Sequence, residues 1–153
     1  MDMLIKLYDL PVANATSPRS DAICRKSLGP EHRLIADWVA HEFSAGWASE
    51  ARVALFNRPV SLYVAIQGGK VIGFCCYDAT ARGFVGPIGV ATNLRRGGVG
   101  AALLRACLND MRSVGYAYAI AGAVGAPEFF RNVAGAIEIE GSTPGVYRDM
   151  LRP

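Results

Sequence analysis

The stretch that decides the fold is residues 84–108, which read FVGPIGV at 84–90, ATNL at 91–94, RRGGVG at 95–100 and AALLRACL at 101–108. The order is an apolar strand, a polar turn, a basic glycine segment and a helix. The first turn of a helix has backbone N–H groups without partners inside the helix, and this end carries a partial positive charge. Gly97, Gly98 and Gly100 lack a Cβ and let an anion approach the backbone, while Arg95 and Arg96 add charge. The pattern therefore predicts a phosphate-binding turn, best suited to two linked phosphates.

Two other interpretations of the glycine turn compete with this one. Glycines between a strand and a helix often only make the turn, and short glycine motifs occur by chance. The two arginines favour a phosphate site over that interpretation. A dinucleotide-binding turn follows the first strand of its domain and precedes an acidic residue by about 20 positions. Here the turn comes after more than half of the chain, and the strand predicted at residues 116–121 ends without an acid, which disfavours an NAD-binding protein.

Residues 95–100 resemble the Arg/Gln-x-x-Gly-x-Gly/Ala signature of the GNAT superfamily, whose members are acetyl-CoA dependent N-acetyltransferases. The preceding strand, the following helix, the strand at 116–120 and the segment 129–136 stand in the order that this family uses, and the resemblance covers roughly residues 23–151. It implies one α/β domain of the mixed α+β kind. The expected architecture is a central, mostly antiparallel mixed sheet of six to seven strands, flanked by about four helices and splayed between its fourth and fifth strands.

The resemblance implies acetyl-CoA as the cofactor and a bulge in the strand 84–90, where the pantetheine arm would bond the backbones of Ile88 and Val90. A bulge would also explain how Gly86 and Pro87 fit into a central strand, since proline cannot donate a hydrogen bond to a ladder. An edge strand is the alternative. The full set of expected cofactor ligands is Ile88, Gly89, Val90, Arg95, Arg96, Gly97, Gly98, Val99, Gly100, Ala101, Phe130 and Asn132.

The sequence departs from the family pattern at the expected catalytic positions. Phe130 stands where many members have a tyrosine that protonates the leaving thiolate, and the strand 84–90 has no glutamate to serve as base. We therefore predict Tyr147 as the acid, with a packed strand tyrosine as the alternative. The predicted bases, in order of preference, are Asp78, Glu42 and Glu50, each of which also fits an exposed or turn-forming acid.

The implied activity is direct transfer of an acetyl group to a primary amine of a small molecule or peptide. Nothing in the sequence selects the acceptor. The function that competes with it belongs to a different class: a coenzyme A binding sensor or assembly module without transfer activity, which Phe130 in place of tyrosine favours. By analogy with the family, we also expect a homodimer.

Composition limits the function further. A chain of 153 residues with 52% hydrophobic and 19% charged residues suits one compact domain, and a net charge of +3 is too small to indicate a nucleic-acid partner. The four cysteines, at 24, 75, 76 and 107, show no metal-ligand spacing, and the neighbours Cys75 and Cys76 should face opposite sides of a strand. Free thiols, together with the lack of a signal pattern or a membrane-length apolar run, favour the cytoplasm.

The remaining elements follow from periodicity and turn residues. Residues 1–21 are assigned to an N-terminal extension, with a strand at 3–8 and an arm at 9–20, and residues 22–153 to the domain. Two glycines at 68 and 69 predict a hairpin between strands 61–67 and 70–77. The other predictions are a strand at 22–27, helices from 30 to about 43, 47–56, 102–113 and 127–133, and a terminal hairpin between 136–140 and 146–151.

Overall fold

In the computed structural model, which describes residues 1–12 and 21–153, seven strands form one mixed sheet that four α-helices cover. The strands are β1 Met3–Lys6, β2 Ile23–Lys26, β3 Leu62–Gln67, β4 Lys70–Tyr77, β5 Phe84–Val90, β6 Tyr118–Ala121 and β7 Ile137–Glu138. The helices are α1 His32–Glu42, α2 Ala45–Phe56, α3 Val99–Ser113 and α4 Pro127–Ala134. The strand order in the sheet is β2-β3-β4-β5-β6-β1-β7. Most of the predicted arm, residues 13–20, lies outside the described residues.

Strands β2 to β5 form an antiparallel meander. The turn between β3 and β4 consists of Gly68 and Gly69, whose φ angles are +56° and +73°. Two consecutive positive φ angles are what a two-residue hairpin turn of type I′ requires, and glycine adopts them without steric cost. The predicted hairpin is therefore confirmed.

Strand β5 carries the predicted bulge. Its rungs with β4 pair Ile88 with Cys75 and Val85 with Tyr77, so that Gly86 and Pro87 together lie opposite one residue of β4. Two residues against one is the definition of a β-bulge, and such bulges bend a strand and redirect its edge.

Strand β6 runs parallel to β5 but pairs with it over only two rungs, Phe84 with Ile120 and Val85 with Ala121. Beyond Val85 the two strands separate. This confirms the predicted splay, because β5 and β6 are the fourth and fifth strands counted from residue 22. The remainder of β5, residues 86–90, consequently has a free edge on the β6 side. This edge and the loop that follows it define the candidate site.

Strand β1, which falls in the predicted N-terminal extension 1–21, lies in the sheet between β6 and β7 and is antiparallel to both. Met3 pairs with Ala121 on one side and with Glu138 on the other. The predicted hairpin between residues 136–140 and 146–151 is wrong, because β7 pairs with β1 and residues 145–147 form a 3₁₀ turn. The partner of β7 comes from the opposite end of the chain, and no local pattern reveals such a pairing.

Two hydrophobic cores lie on the two faces of the sheet. Helices α3 and α4 cover one face, where Cys75 is buried, and helices α1 and α2 cover the other, where Cys76 is buried. The prediction that these neighbours face opposite sides is confirmed. Among the described residues, no helix is both long and apolar enough to cross a membrane.

Candidate functional site

The free edge of β5 presents backbone groups at alternate residues. The N–H of Ala91 donates to the carbonyl of Ile72 on the preceding strand at 2.8 Å, so the backbone groups of Val90 and Ile88 point the opposite way, towards the gap. The Nε of Arg95 donates to the Val90 carbonyl at 3.2 Å, which agrees with this alternation. An extended ligand with amide groups can therefore bond to Ile88 and Val90 as an added strand would.

The turn after β5 ends at Gly98, which is the N-cap of α3 and has φ +81° and ψ 1°. This left-handed conformation suits glycine because an L residue suffers steric strain there. The first backbone bond of the helix runs from the N–H of Ala102 to the carbonyl of Gly98 at 3.0 Å. The N–H groups of residues 99–101 therefore lack helical partners, and no side chain caps them. Because Gly98 caps the helix, α3 begins at Val99 rather than at the predicted Ala102.

Arg95 and Arg96 are exposed beside this helix end, and neither forms an ion pair within residues 1–12 and 21–153. A cavity of about 350 Å³ is lined by both arginines, Gly97 and Val99, with Gln67 and Ile72 opposite. Two guanidinium groups without carboxylate partners among the described residues thus lie next to unsatisfied N–H groups, an arrangement that suits an anion.

An aromatic side chain of α4 forms a wall near the start of α3. A Cβ added at Gly100 would lie 3.6 Å from the ring of Phe129 and 3.6 Å from a methyl group of Val90. Phe130, the residue that the sequence associated with the cofactor, is instead buried in the core on this face, and Asn132 is exposed. The sequence did not single out Phe129, since neighbouring phenylalanines on a helix cannot be told apart before their faces are known.

The hydroxyl group of Tyr147 lies at the point where β5 and β6 separate. It contacts Gly122, the residue that follows the last rung between the two strands, so closely that a Cβ there would collide with it and with the ring of Phe84. Tyr147 lies in the 3₁₀ turn 145–147 and is half-buried. A phenol therefore stands at the narrow end of the gap whose wide end leads to the glycine turn.

Glu50 of α2 and Thr80 of the β4–β5 loop lie beside Tyr147. The Thr80 hydroxyl donates a short hydrogen bond to the Glu50 carboxylate. Burial raises the pKa of Tyr147, and the negative charges of Glu50 and Asp2 raise it further, whereas a hydrogen bond with Thr80 acts in the opposite direction. Tyr147 is consequently a protonated phenol. The Glu50 carboxylate is near it, and the Thr80 hydroxyl links the two residues.

Asp2 attaches the turn that carries Tyr147 to the sheet. Its carboxylate accepts the N–H of Ala123 at 2.8 Å, and its backbone N–H donates to the hydroxyl of Ser142 at 2.7 Å. A Cβ added at Gly145 would lie 3.2 Å from the same carboxylate. Nothing in the local sequence around Asp2 or Thr80 indicates these contacts, because the partners are far apart in the chain.

The other two predicted bases lie in different surroundings. Asp78 accepts the N–H of Gly83 at 2.7 Å and the hydroxyl of Tyr116 at 2.8 Å, so its carboxylate holds the β4–β5 turn. Glu42 lies at the end of α1, 3.6 Å from His41. Of the three predicted bases, Glu50 is the one whose charge acts on Tyr147. Among the described residues, no group of three or more His, Cys, Asp or Glu side chains is arranged to hold a metal ion.

Comparisons with known proteins agree with this geometry. The sequence profile of the acetyltransferase (GNAT) family matches residues 32–133. A solved structure of a GCN5-related N-acetyltransferase from Sphaerobacter thermophilus is 22% identical over 89% of this chain and 47% of its own length, with a TM-score of 0.69. A GCN5-related glucosamine N-acetyltransferase region from a fungal multi-domain β-N-acetylglucosaminidase is 16% identical over 87% of this chain and 19% of its own length, with a TM-score of 0.72.

A GNAT family N-acetyltransferase from Escherichia coli, solved in complex with CoA, is 22% identical over 67% of this chain and 63% of its own length, with a TM-score of 0.52. This chain spans less than half the length of each of the two structures above. At these identities the likeness shows the fold and confirms the predicted fold class. No curated protein sequence matches the chain.

Proposed function

We propose that this chain, which belongs to the acetyltransferase (GNAT) family, moves an acetyl group from acetyl-CoA to a primary amine of a small molecule or peptide by direct transfer. The family uses acetyl-CoA, as the resemblance at residues 95–100 implied. The observation that carries the proposal is one continuous path. It leads from the unsatisfied N–H groups of α3, along the free edge of β5, to the phenol of Tyr147.

The residues along this path suit coenzyme A in sequence. Arg96 and the N–H groups of residues 99–101 would hold the pyrophosphate, and a side chain at the preceding Gly98 would be strained. The backbones of Ile88 and Val90 would bond the amides of the pantetheine arm. Phe129 would flank the arm near Gly100, since its ring and a methyl group of Val90 both lie close to that glycine. Bound acetyl-CoA supplies an acetyl group activated as a thioester.

Tyr147 and Glu50 have complementary tasks in our proposal. An alkyl amine has a pKa near 10 and must lose a proton before it attacks. Glu50 accepts that proton, either directly or through the Thr80 hydroxyl to which it is bonded. A carbon–nitrogen bond then forms as the carbon–sulfur bond breaks, and Tyr147 donates its phenol proton to the sulfur. The raised pKa of Tyr147 keeps this proton available at neutral pH. Asp78 as base remains a prediction, with its carboxylate engaged by Gly83 and Tyr116.

The charge around Tyr147 favours a cationic acceptor. Glu50 and Asp2 both act electrostatically on the phenol, so the narrow end of the gap carries two carboxylates. A protonated amine is attracted to such a site before it is deprotonated there. We therefore expect amines without a neighbouring carboxylate to be better acceptors than amino acids with a free carboxyl group.

Turnover tests the proposal directly. Thiol release from acetyl-CoA is measured with a panel of primary amines for the wild type, Tyr147→Phe and the control Tyr118→Phe. Tyr118 has an exposed side chain whose hydroxyl lies beside that of Tyr8. We expect Tyr147→Phe to lower kcat by about 100-fold or more and Tyr118→Phe to leave it unchanged. Arg96→Gln should raise the Kd of coenzyme A about tenfold, because one charge-assisted hydrogen bond contributes about 1.5 kcal/mol or more.

Binding of coenzyme A without release from any amine of the panel would instead support the sensor or assembly module. Equal activity in Tyr147→Phe and the wild type would remove Tyr147 from the mechanism. A cytoplasmic location and a homodimer complete the proposal. Light scattering at micromolar concentration tests the dimer.

A further inference from the structure

A second cavity lies on the outer side of α3, against α4 and the segment that follows β1. Its volume is about 290 Å³, which is ample for a small ion with its hydration water. Arg105, Asn109 and Arg112 of α3 line one wall, Tyr8 borders it, and Leu108 and Val133 supply apolar surface. The described residues that line this cavity include two cations and no carboxylate.

One nitrogen of the Arg105 guanidinium, Nε, is buried without a hydrogen-bond partner among the described residues. A buried N–H without a partner costs free energy. Neither Arg105 nor Arg112 forms an ion pair in the described part of the chain.

The acidic residues close in sequence do not neutralise this wall. Asp110 lies next to Asn109 on α3, but its carboxylate pairs with Lys26 at 2.8 Å and accepts the hydroxyl of Tyr77 at 2.7 Å, on the side that faces the sheet. Asp9 follows Tyr8 and is exposed outside the lining of the cavity. Among the described residues, no carboxylate therefore offsets the positive charge of the two arginines at the cavity.

The cavity is separate from the glycine turn. With a rise of about 1.5 Å per residue, Arg105 lies about 10 Å and Arg112 about 20 Å along α3 from Gly98. None of its lining residues lines the cavity beside Arg95 and Arg96. A ligand here would be held independently of any group at the helix N-terminus.

We infer that this cavity is a binding site for a small oxyanion, held by Arg105 and Arg112 with Asn109 between them. Residues four and seven positions after Arg105 lie on the same face of the helix, so the three side chains converge on one ligand. Guanidinium groups bind phosphate and carboxylate oxygens through paired N–H donors, and both Arg105 and Arg112 line the cavity. The ligand class is a phosphate or a polycarboxylate.

Calorimetric titration of the full chain tests the site, with inorganic phosphate and citrate as separate probes at an ionic strength fixed by sodium chloride. We expect saturable binding of at least one probe, weakened about tenfold or more by Arg105→Gln and by Arg112→Gln. Arg33→Gln and Arg96→Gln are the controls. Arg33 is almost fully exposed on α1 and pairs with Asp37, and Arg96 lies at the glycine turn.

The stronger probe identifies the ligand class. The inference is overturned if neither probe binds, or if Arg96→Gln abolishes binding while Arg105→Gln and Arg112→Gln retain it, because the anion then lies at the glycine turn. It is also overturned if Arg33→Gln weakens binding as much as the α3 variants do. Arg112 is exposed, so its substitution keeps the test decisive if Arg105→Gln does not fold.

Discussion

The Tyr147 hydroxyl contacts the backbone of Gly122, the residue at which β5 and β6 cease to pair. This contact connects the last turn of the described chain to the apex of the gap in the sheet. It depends on the absence of a side chain at Gly122, since Tyr147 and Phe84 already occupy the space that a Cβ would need.

Gly122→Ala should therefore displace Tyr147. We expect a loss of about 1 to 3 kcal/mol in the free energy of unfolding, because Phe84 lies 2.8 Å from the added Cβ, together with a fall in kcat. Gly125→Ala, in the same loop and with no atom within 4 Å, is the matched control and should behave as the wild type. Urea unfolding and thiol release measure the two effects. Equal stability of the two variants would show that the Tyr147 contact is not a constraint.

The cap of α3 gives a second prediction. Gly98→Ala places an L residue at φ +81°, which costs about 1 to 2 kcal/mol and tilts the N–H groups that follow. We expect a lower Tm and a higher Kd for coenzyme A. Gly97→Ala is the control for strain, since its nearest neighbour, the Leu94 carbonyl, lies 3.7 Å from the added Cβ and its φ is not positive. A Gly98→Ala variant as stable as Gly97→Ala would contradict the assigned conformation.

On the face of the sheet that α1 and α2 cover, the ring of Phe43 packs against Gly89 of β5. A Cβ added at Gly89 would come within 2.8 Å of the ring edge, and Phe43 is held in turn by Trp38, Trp47 and Phe74. We expect Gly89→Ala to destabilise the protein by about 1 to 3 kcal/mol. In a protein that already carries Phe43→Ala, Gly89→Ala should lower the free energy of unfolding markedly less, because the ring that the Cβ would meet is absent. Additive effects in this double-mutant cycle would exclude the clash as the cause.

Acid stability depends on Glu31. Its hydrogen bonds to the Arg25 guanidinium, one of them at 3.0 Å, and to the N–H of Leu28 lower the pKa of Glu31 to about 2, whereas a glutamate in an unfolded chain has a pKa near 4.3. The stabilisation is therefore complete above about pH 4.3 and is lost as the pH falls towards 2. The stability gap between the wild type and Glu31→Gln should stay constant from pH 7 to about 5 and then narrow.

Urea unfolding at a series of pH values measures this gap. Glu140→Gln is the control, since Glu140 is exposed and forms no ion pair in the described part of the chain. A gap that does not change with pH would mean that the Glu31–Arg25 pair contributes nothing to acid stability.

Local signals in the sequence predicted much of the fold. The two glycines at 68 and 69 determine the hairpin, and the bulge at Gly86 and Pro87 follows from the one residue type that cannot donate to a ladder. The position of β1 could not be predicted, because its pairing with β6 and β7 joins distant segments and leaves no periodic pattern. The predicted pairing of residues 146–151 failed for the same reason.

The candidate site likewise has one part that local sequence predicts and one part that it does not. The proposed cofactor turn is contiguous, so Arg95 to Gly100 indicate it without any tertiary information. The proposed acid–base group combines Glu50, Thr80 and Tyr147, which come from a helix, a loop and the 3₁₀ turn 145–147. Tyr147 was predicted by elimination, but only the folded chain shows that Glu50, the third choice, is the carboxylate beside it.

The position of β1 between β6 and β7 has a consequence for folding. Asp2 bonds to Ala123, 121 positions later in the chain, so the apolar strand β1 cannot be enclosed until residues 118–121 and 137–138 have been brought back to it. Closing so large a loop is slow. Met3, Ile5 and Leu7, which are fully buried in the folded protein, stay uncovered during that interval.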